Sequence, residues 1–273
     1  MRTTEDTTLV GQVALVTGGG SGLGAAICRR LAADGATVIV NDLHGEAAQR
    51  VGDEVGGVAE VFDVSDTRAF DAAVDRVVDR FGRLDIVVNN AGIAPMPDER
   101  RTAVAVANQM ARFEGRTDDL VPPNVTIDCT DDEFDRMIKV HLYGTFHGVR
   151  AALRHMTPAR RGAIVNIASV LGLRPIAGPF HYAAAKAAII ALTRSCGQEV
   201  APFGVRINAI CPGWVDTPLL APADELTRAA ITAQIPVGRM AQAHEIASTV
   251  RYPVGPDSPY CCGDVFSVSG GVV

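Results

Sequence analysis

Tyr182 and Lys186 stand four residues apart in the run Tyr182-Ala-Ala-Ala-Lys186. That spacing puts both side chains on one face of a helix. A phenol ordinarily titrates near 10, and a neighbouring ammonium favours the phenolate, so the pair has the makings of a general acid–base. A surface tyrosine and a solvated lysine on an alanine-rich helix would read the same way. A second segment, Thr17-Gly18-Gly19-Gly20-Ser21-Gly22-Leu23-Gly24, lies between the apolar run Val13–Val16 and the helix-like stretch Ala25–Ala33. A buried strand, a glycine turn and a helix start make a place for a pyrophosphate, because glycine admits close backbone approach and the helix N-terminus offers N–H groups. The spacing differs from the usual dinucleotide fingerprint, since Leu23 falls where a third glycine would. No Lys-Ser/Thr pair follows, which excludes a P-loop. Taken alone, the turn could be an ordinary tight turn.

The elements that must hold these groups follow an alternating pattern. Strands are predicted at Val13–Thr17, Thr37–Asn41, Val58–Phe62, Ile86–Asn89, Ala163–Ile167, Arg206–Ile210 and Val265–Val268. Helices are predicted at about 22–34, 67–81, 131–156, 181–202 and 242–251. Strand–helix alternation implies βαβ units with right-handed crossovers: one α/β domain, a doubly wound parallel sheet of Rossmann type covered on both faces. No repeat and no linker-like shift in composition divides the 273 residues. Hydrophobic content of 48% with 21% charged residues is ordinary for a globular chain. The net charge of −6 argues against general binding to nucleic acid or anionic membranes. No apolar run reaches the ~18 residues of a membrane helix, and Met1–Thr8 lacks the apolar core of a secretory signal. The six cysteines show no metal-binding spacing and are expected to be reduced thiols in a cytoplasmic protein.

Asp42 ends the second strand, 18 residues beyond Gly24. A carboxylate there accepts hydrogen bonds from ribose hydroxyls and repels a 2′-phosphate, and no Lys or Arg occurs at Gly19–Leu23 or at Leu43. These observations favour NAD over NADP.

The pattern Thr17-Gly18-x3-Gly22-x-Gly24, the Tyr182-x3-Lys186 pair with Ser169 lying 13 residues before it, Asn89-Asn90-Ala91-Gly92 and Pro212–Thr217 together resemble the short-chain dehydrogenase/reductase family, from about residue 10 to 271. The resemblance implies interconversion of a secondary alcohol and a ketone by hydride transfer with NAD. Ser169 would position the substrate oxygen, Tyr182 would carry the proton, and Lys186 would bind the nicotinamide ribose and lower the tyrosine pKa. No metal is implied. Gly18, Ser21, Gly22, Leu23 and Gly24 would cradle the pyrophosphate, Asp63 and Val64 would meet the adenine, and Asn90, Ala91 and Gly92 would pack on the ribose side. Pro212 and Gly213 belong to the stretch whose Val215 backbone and Thr217 hydroxyl would hold the carboxamide. Asn90 has an equal claim to a purely structural role. The family also implies a homotetramer, with a dimer as the alternative.

Two departures stand out. In the context His141-Leu-Tyr-Gly144-Thr-Phe146, a histidine occupies the position of the family's fourth catalytic residue, usually an asparagine that holds a water. Neutral imidazole both donates and accepts, so it could serve in a relay, or it could simply be packed. Between Gly92 and Asp131 lies a connection of about 38 residues, an insertion at about 93–130. Its stretch Thr102–Phe113 is expected to form a short helix, and a lid using Val104, Val106, Met110 or Phe113, an oligomer arm or a surface excursion are the readings weighed. A 3-oxoacyl reductase or 3-hydroxyacyl dehydrogenase on carrier- or CoA-linked chains is the alternative activity, with Arg100, Arg101, Arg112 and Arg116 as contacts for a phosphate-bearing partner. An NADP-linked reductase and a non-catalytic NAD-binding regulator are further alternatives. The stretches Leu171–His181 and Pro218–Met240 carry no decodable substrate chemistry.

Overall fold

The computed structural model describes residues 9–95, 99–220 and 225–273. Met1–Thr8, residues 96–98 of the insertion and residues 221–224 of the Pro218–Met240 stretch lie outside the described residues. The chain begins with β1 (Val13–Val16), α1 (Gly22–Ala33), β2 (Thr37–Asp42), α2 (Gly45–Val55), β3 (Val58–Val61), α3 (Thr67–Phe81) and β4 (Ile86–Asn89). The insertion contributes α4 (Glu99–Phe113). Then follow α5 (Asp131–Ile138), a π-helical turn at Lys139–Tyr143, α6 (Gly144–Ala159), β5 (Gly162–Ile167), α7 (Val170–Leu173) and α8 (Phe180–Val200). The chain closes with β6 (Val205–Pro212), β7 (Val215–Asp216), α9 (Glu225–Ala233), β8 (Ala241–Gln242), α10 (Ala243–Val254) and β9 (Val265–Val268).

Seven strands form one parallel sheet in the order β3-β2-β1-β4-β5-β6-β9. All seven coincide with the runs read from the sequence; strands buried on both faces, such as β1 and β4, are written as short continuous apolar segments, whereas the outer strands β3 and β9 are only partly buried. Side chains alternate between two cores, as strand geometry requires. Ala14, Val16, Val38, Val40 and Val88 pack against α1, α2 and α10, while Val13, Leu15, Ile39 and Val87 pack against α3, α6 and the end of α8.

The helical content differs from expectation in several places, the short helices α7 and α9 lying where none was expected. The stretch 131–156, read as one helix, is two helices joined by the π-helical turn, so its phase shifts at His141. Helix α2 was not expected. Its apolar positions Ala48, Val51 and Val55 have helical spacing, but Gly45 and Gly52 weaken the pattern.

Strand order reverses between β1 and β4, which splays the following loops apart and opens a crevice at the C-terminal edge of the sheet. A small parallel pair, β7 with β8, stands beside it. Among the described residues no helix is long and apolar enough to cross a membrane, and the six cysteines are free.

Candidate active site

A cavity of about 780 Å³ occupies this crevice, and every catalytic and cofactor-binding candidate read from the sequence lines it. At its base, Gly18 turns with φ +62°, and a Cβ there would stand 2.8 Å from the Ala91 Cα. A Cβ at Gly24 would run into the Gly18 carbonyl. The turn is thus packed tightly against the β4 exit and leaves its cavity side bare. Ser21 precedes α1 without a side-chain cap bond, and the first turn of that helix carries no acidic residue. Backbone N–H groups beside Gly22, Leu23 and Gly24 therefore face an anion's space with no competing carboxylate, which fits a pyrophosphate.

Asp42 lines the cavity beside the glycine turn. Its Oδ2 accepts from Gly20 N at 3.0 Å and its Oδ1 from His44 N at 3.0 Å. These bonds fix the carboxylate while leaving acceptor capacity toward the cavity. Arg50 of α2, which the sequence reading passed over, donates to the Gly20 carbonyl at 2.8 Å. Asp63 and Val64 form the wall beyond β3, where Asp63 Oδ1 accepts from Ser65 N at 2.8 Å and shapes a tight turn.

Asn90 lines the cavity, yet its amide is engaged elsewhere. Its Nδ2 donates to Thr17 O at 2.9 Å and Gly18 O at 3.1 Å, and Thr17 Oγ1 accepts from the backbone N–H groups of Asn90 and Ala91. The side chain braces the glycine turn, which is the structural reading of this residue. Across the crevice, Pro212, Gly213, Val215 and Thr217 leave the end of β6 and complete the wall, and Thr217 touches the Gly22 side of the turn.

The proton-transfer candidates converge from β5 and α8. Ser169 caps α7, with Oγ accepting from Leu171 N at 3.1 Å, and it also hydrogen-bonds Tyr182. Lys186 is 4% exposed and donates to Ile167 O at 2.6 Å. Burial pushes its ammonium down to about 7, and its Nζ stands 5.6 Å from the Tyr182 ring centroid. Here the structure corrects an expectation. The Tyr182 phenol is raised, because burial outweighs the opposing Ser169 bond, and Lys186 supplies no depression of it. The reason is that Lys186 is itself desolvated and spends its shortest bond on a backbone carbonyl.

His141 is 2% exposed. Its Nε2 lies 3.1 Å from Ile93 N and 2.9 Å from Ile93 O, and its Nδ1 has no hydrogen-bond partner. Burial and the nearby Lys186 push its pKa down to about 3, so the ring is neutral across physiological pH. Gly92 is required beside it, since a Cβ there would come 2.5 Å from Cε1.

The lid expectation fails. None of Val104, Val106, Met110 and Phe113 lines the cavity. Phe113 is 89% exposed, Met110 53% and Val106 43%, so this face of α4 points to solvent. Asn108 turns the chain back by exchanging two hydrogen bonds with Val121. Arg100 pairs with Asp128, and Arg116 with Glu114 and Asp119, which ties two of the insertion's cations internally. Only the ends of the insertion approach the site. Ile93, Ala94 and Pro95 line the main cavity, and Val125 and Cys129 line a second cavity of about 50 Å³ that shares those three residues and Arg136. Among the described residues no group of three or more His, Cys, Asp or Glu could hold a metal ion.

Comparison with known proteins agrees with this architecture. The family model described as short chain dehydrogenase matches residues 12–227. The 3-oxoacyl-[acyl-carrier-protein] reductase of Thermotoga maritima is 32% identical over 270 residues, spanning 97% of this chain and 99% of that protein. A Mycobacterium tuberculosis reductase of (5R,7aS)-5-hydroxy-7a-methyl-1-oxo-2,3,5,6,7,7a-hexahydro-1H-indene-carboxyl-CoA is 40% identical over 272 residues, covering 96% of this chain and 93% of its own. The crystal structure of a short-chain type dehydrogenase/reductase from Mycobacterium marinum superposes with a TM-score of 0.84 at 28% identity, covering 97% of each chain. The chain belongs to the short-chain dehydrogenase/reductase family and is an oxidoreductase of the alcohol/carbonyl pair.

Proposed function

We propose that this chain is an NAD-preferring dehydrogenase/reductase in which Tyr182 carries the proton, Ser169 positions the substrate oxygen, and the carbonyl or alcohol belongs to an acyl thioester. The observation that carries the reading is the juxtaposition, within one cavity, of a Ser169–Tyr182–Lys186 group at one end and the Asp42 carboxylate at the other. When bound, the nicotinamide cofactor supplies or accepts the hydride and, in its oxidised form, brings a positive ring to the site. In alcohol oxidation Tyr182, whose phenolate the positive ring of a bound oxidised cofactor would favour against the burial that raises it, takes the hydroxyl proton at its oxygen while the Ser169 hydroxyl donates to the substrate oxygen. In ketone reduction the Tyr182 phenol returns that proton. Lys186, with its pKa near 7, binds the cofactor ribose and exchanges a proton close to working pH.

Two features support an acyl thioester. Two of the relatives named above are, by name, reductases of an acyl-carrier-protein-linked and a CoA-linked compound. The cavity lining includes the apolar Val170, Leu171, Pro179, Leu219 and Leu220, which suit an acyl chain or an alicyclic ring. A homotetramer in a reducing cytoplasm accompanies this reading, in keeping with six free thiols, and light scattering at micromolar concentration tests the assembly.

The deciding experiment assays the wild type with NAD and NADP on 3-hydroxyacyl-CoA, 3-oxoacyl thioesters and alicyclic keto acyl-CoA substrates, alongside Tyr182→Phe. Turnover with NAD above NADP, lowered at least about a hundredfold in Tyr182→Phe with cofactor binding intact, is expected. Preference for NADP would instead make this a carrier-linked reductase of the alternative kind. Turnover in Tyr182→Phe within a few-fold of wild type would remove the tyrosine from the mechanism. Cofactor binding with no turnover on any substrate would favour the regulator.

A further inference from the structure

His147 lies on α6, 6% exposed, and does not itself line the cavity. Both of its ring nitrogens are bonded to the connection between β3 and α3. Nδ1 stands 2.9 Å from the Val64 carbonyl and Nε2 stands 2.8 Å from Thr67 Oγ1. A carbonyl oxygen only accepts, so Nδ1 carries the hydrogen and Nε2 receives the Thr67 hydroxyl. One helical turn earlier, Gly144 admits the Val64 side chain so closely that a Cβ would stand 2.8 Å from Val64 Cγ2. The same segment begins at His141, which packs against Tyr182. One rail therefore touches the catalytic tyrosine at its start and grips the Asp63–Thr67 connection a turn and a half later.

We infer that His147 is a positioning residue for the cofactor: it fixes, through Val64 and Thr67, the wall that receives the adenine, without touching the cofactor itself. The inference rests on the reading that the Asp63-Val64 turn meets the adenine. Three observations carry it. Phe62, Asp63, Val64 and Ser65 all line the cavity, so a shift of this connection changes the adenosine end directly. From the far side the turn is held locally, by Asp63 on Ser65 and by the Asp66 cap of α3. Beside the packing of Val64 on Gly144, the two His147 hydrogen bonds tie it to α6; the Val64 bond is buried and the Thr67 bond partly buried, where an orphaned partner is costly. No pattern in the sequence marks this histidine, since its partners lie 80 and 83 residues away.

The test uses the purified full-length chain and the quenching of Trp214, the only tryptophan, which lines the cavity. Binding of NAD and of nicotinamide mononucleotide, which lacks the adenosine, is measured for wild type, His147→Leu and Thr67→Val. His147→Leu is expected to weaken NAD about tenfold while leaving the mononucleotide within about twofold and turnover at saturating NAD within about threefold, the size of a lost buried hydrogen-bonded anchor. Thr67→Val removes one bond and is expected to weaken NAD about threefold; it decides the matter where the leucine protein fails to fold. Unchanged NAD affinity, or equal weakening of NAD and mononucleotide, overturns the inference. A wild type that does not bind NAD overturns the underlying reading and this inference together, whereas wild-type binding with insensitive variants overturns the inference alone.

Discussion

The imidazole of His141 meets the Tyr182 ring edge to face, with centroids 5.2 Å apart and planes at 86°. An edge-to-face contact places the histidine as a wall of the tyrosine's slot. Its Nε2 is tied to the Ile93 backbone, and with a pKa near 3 it gains no charge at working pH. Any part it takes in proton transfer runs through its neutral form.

The first prediction concerns acid stability. His141 titrates near 3 in the folded chain against an ordinary value of 6.5. Between those values the unfolded chain binds a proton that the folded chain refuses, so this residue lowers stability as pH falls from 6.5 toward 3. His141→Asn does not titrate and can still bond the Ile93 backbone. Its melting temperature relative to wild type is expected to rise as pH falls from 7 to 4. Parallel curves across that range would show the imidazole to be unimportant for acid stability.

A second prediction follows from Asp42. Its bonds to Gly20 N and His44 N hold the carboxylate where a 2′-phosphate would meet like charge. Asp42→Ala is expected to lower kcat/KM with NAD and raise it with NADP, closing the gap by at least about tenfold, a difference of about 1.4 kcal/mol. Steady-state kinetics with both cofactors read this directly. A variant that keeps the wild-type ratio would shift cofactor choice to other residues.

How far the sequence carried these arguments varies from residue to residue. The central strands were legible because burial on both faces writes them as near-continuous apolar runs, as in Ile86, Val87 and Val88. The positions of Tyr182 and Lys186 were legible because their spacing on α8 survives folding unchanged, and Ser169 because it lies just after β5, at the cap of α7. Their electrostatics were not: the raised Tyr182 phenol depends on burial, which no spacing encodes. Asn90 kept two readings open until its amide was seen on Thr17 and Gly18. The π-helical turn at His141 was hidden because a one-residue change of phase leaves the apolar periodicity nearly intact. Helix α4 was legible as a helix but its direction was not, because an apolar stripe does not say what it faces.

Lys186 yields a third prediction. Burial takes its pKa from 10.5 down to about 7. Below 7 the folded chain holds a buried ammonium at a cost, and the cost is relieved as pH rises from about 7 to 10.5, where the unfolded chain binds the extra proton. Lys186→Met should therefore be inactive yet more stable than wild type at pH 6 to 7, with the advantage shrinking toward pH 10. Thermal melts across this range check it. A methionine variant that is less stable at pH 6 would mean that the 2.6 Å bond to Ile167 O outweighs the burial of charge.

The last prediction separates the two parts of the insertion. Val106, Met110 and Phe113 form an exposed stripe on α4 and line neither cavity, whereas Val125 does line the small cavity beside Ile93–Pro95. Replacing Val106, Met110 and Phe113 together by serine should leave both substrate KM and cofactor affinity within about twofold, because a residue outside the pocket contributes neither uniform nor transition-state binding. Val125→Phe fills a space of about 50 Å³ and presses on Ile93–Pro95, whose backbone holds His141 against Tyr182. It is expected to raise substrate KM or lower kcat several-fold with NAD affinity unchanged, since the adenosine end of the cavity is remote from that wall. The comparison is a kinetic one on two folded proteins. A large KM increase in the triple serine variant with no effect of Val125→Phe would restore α4 as a lid and overturn this assignment.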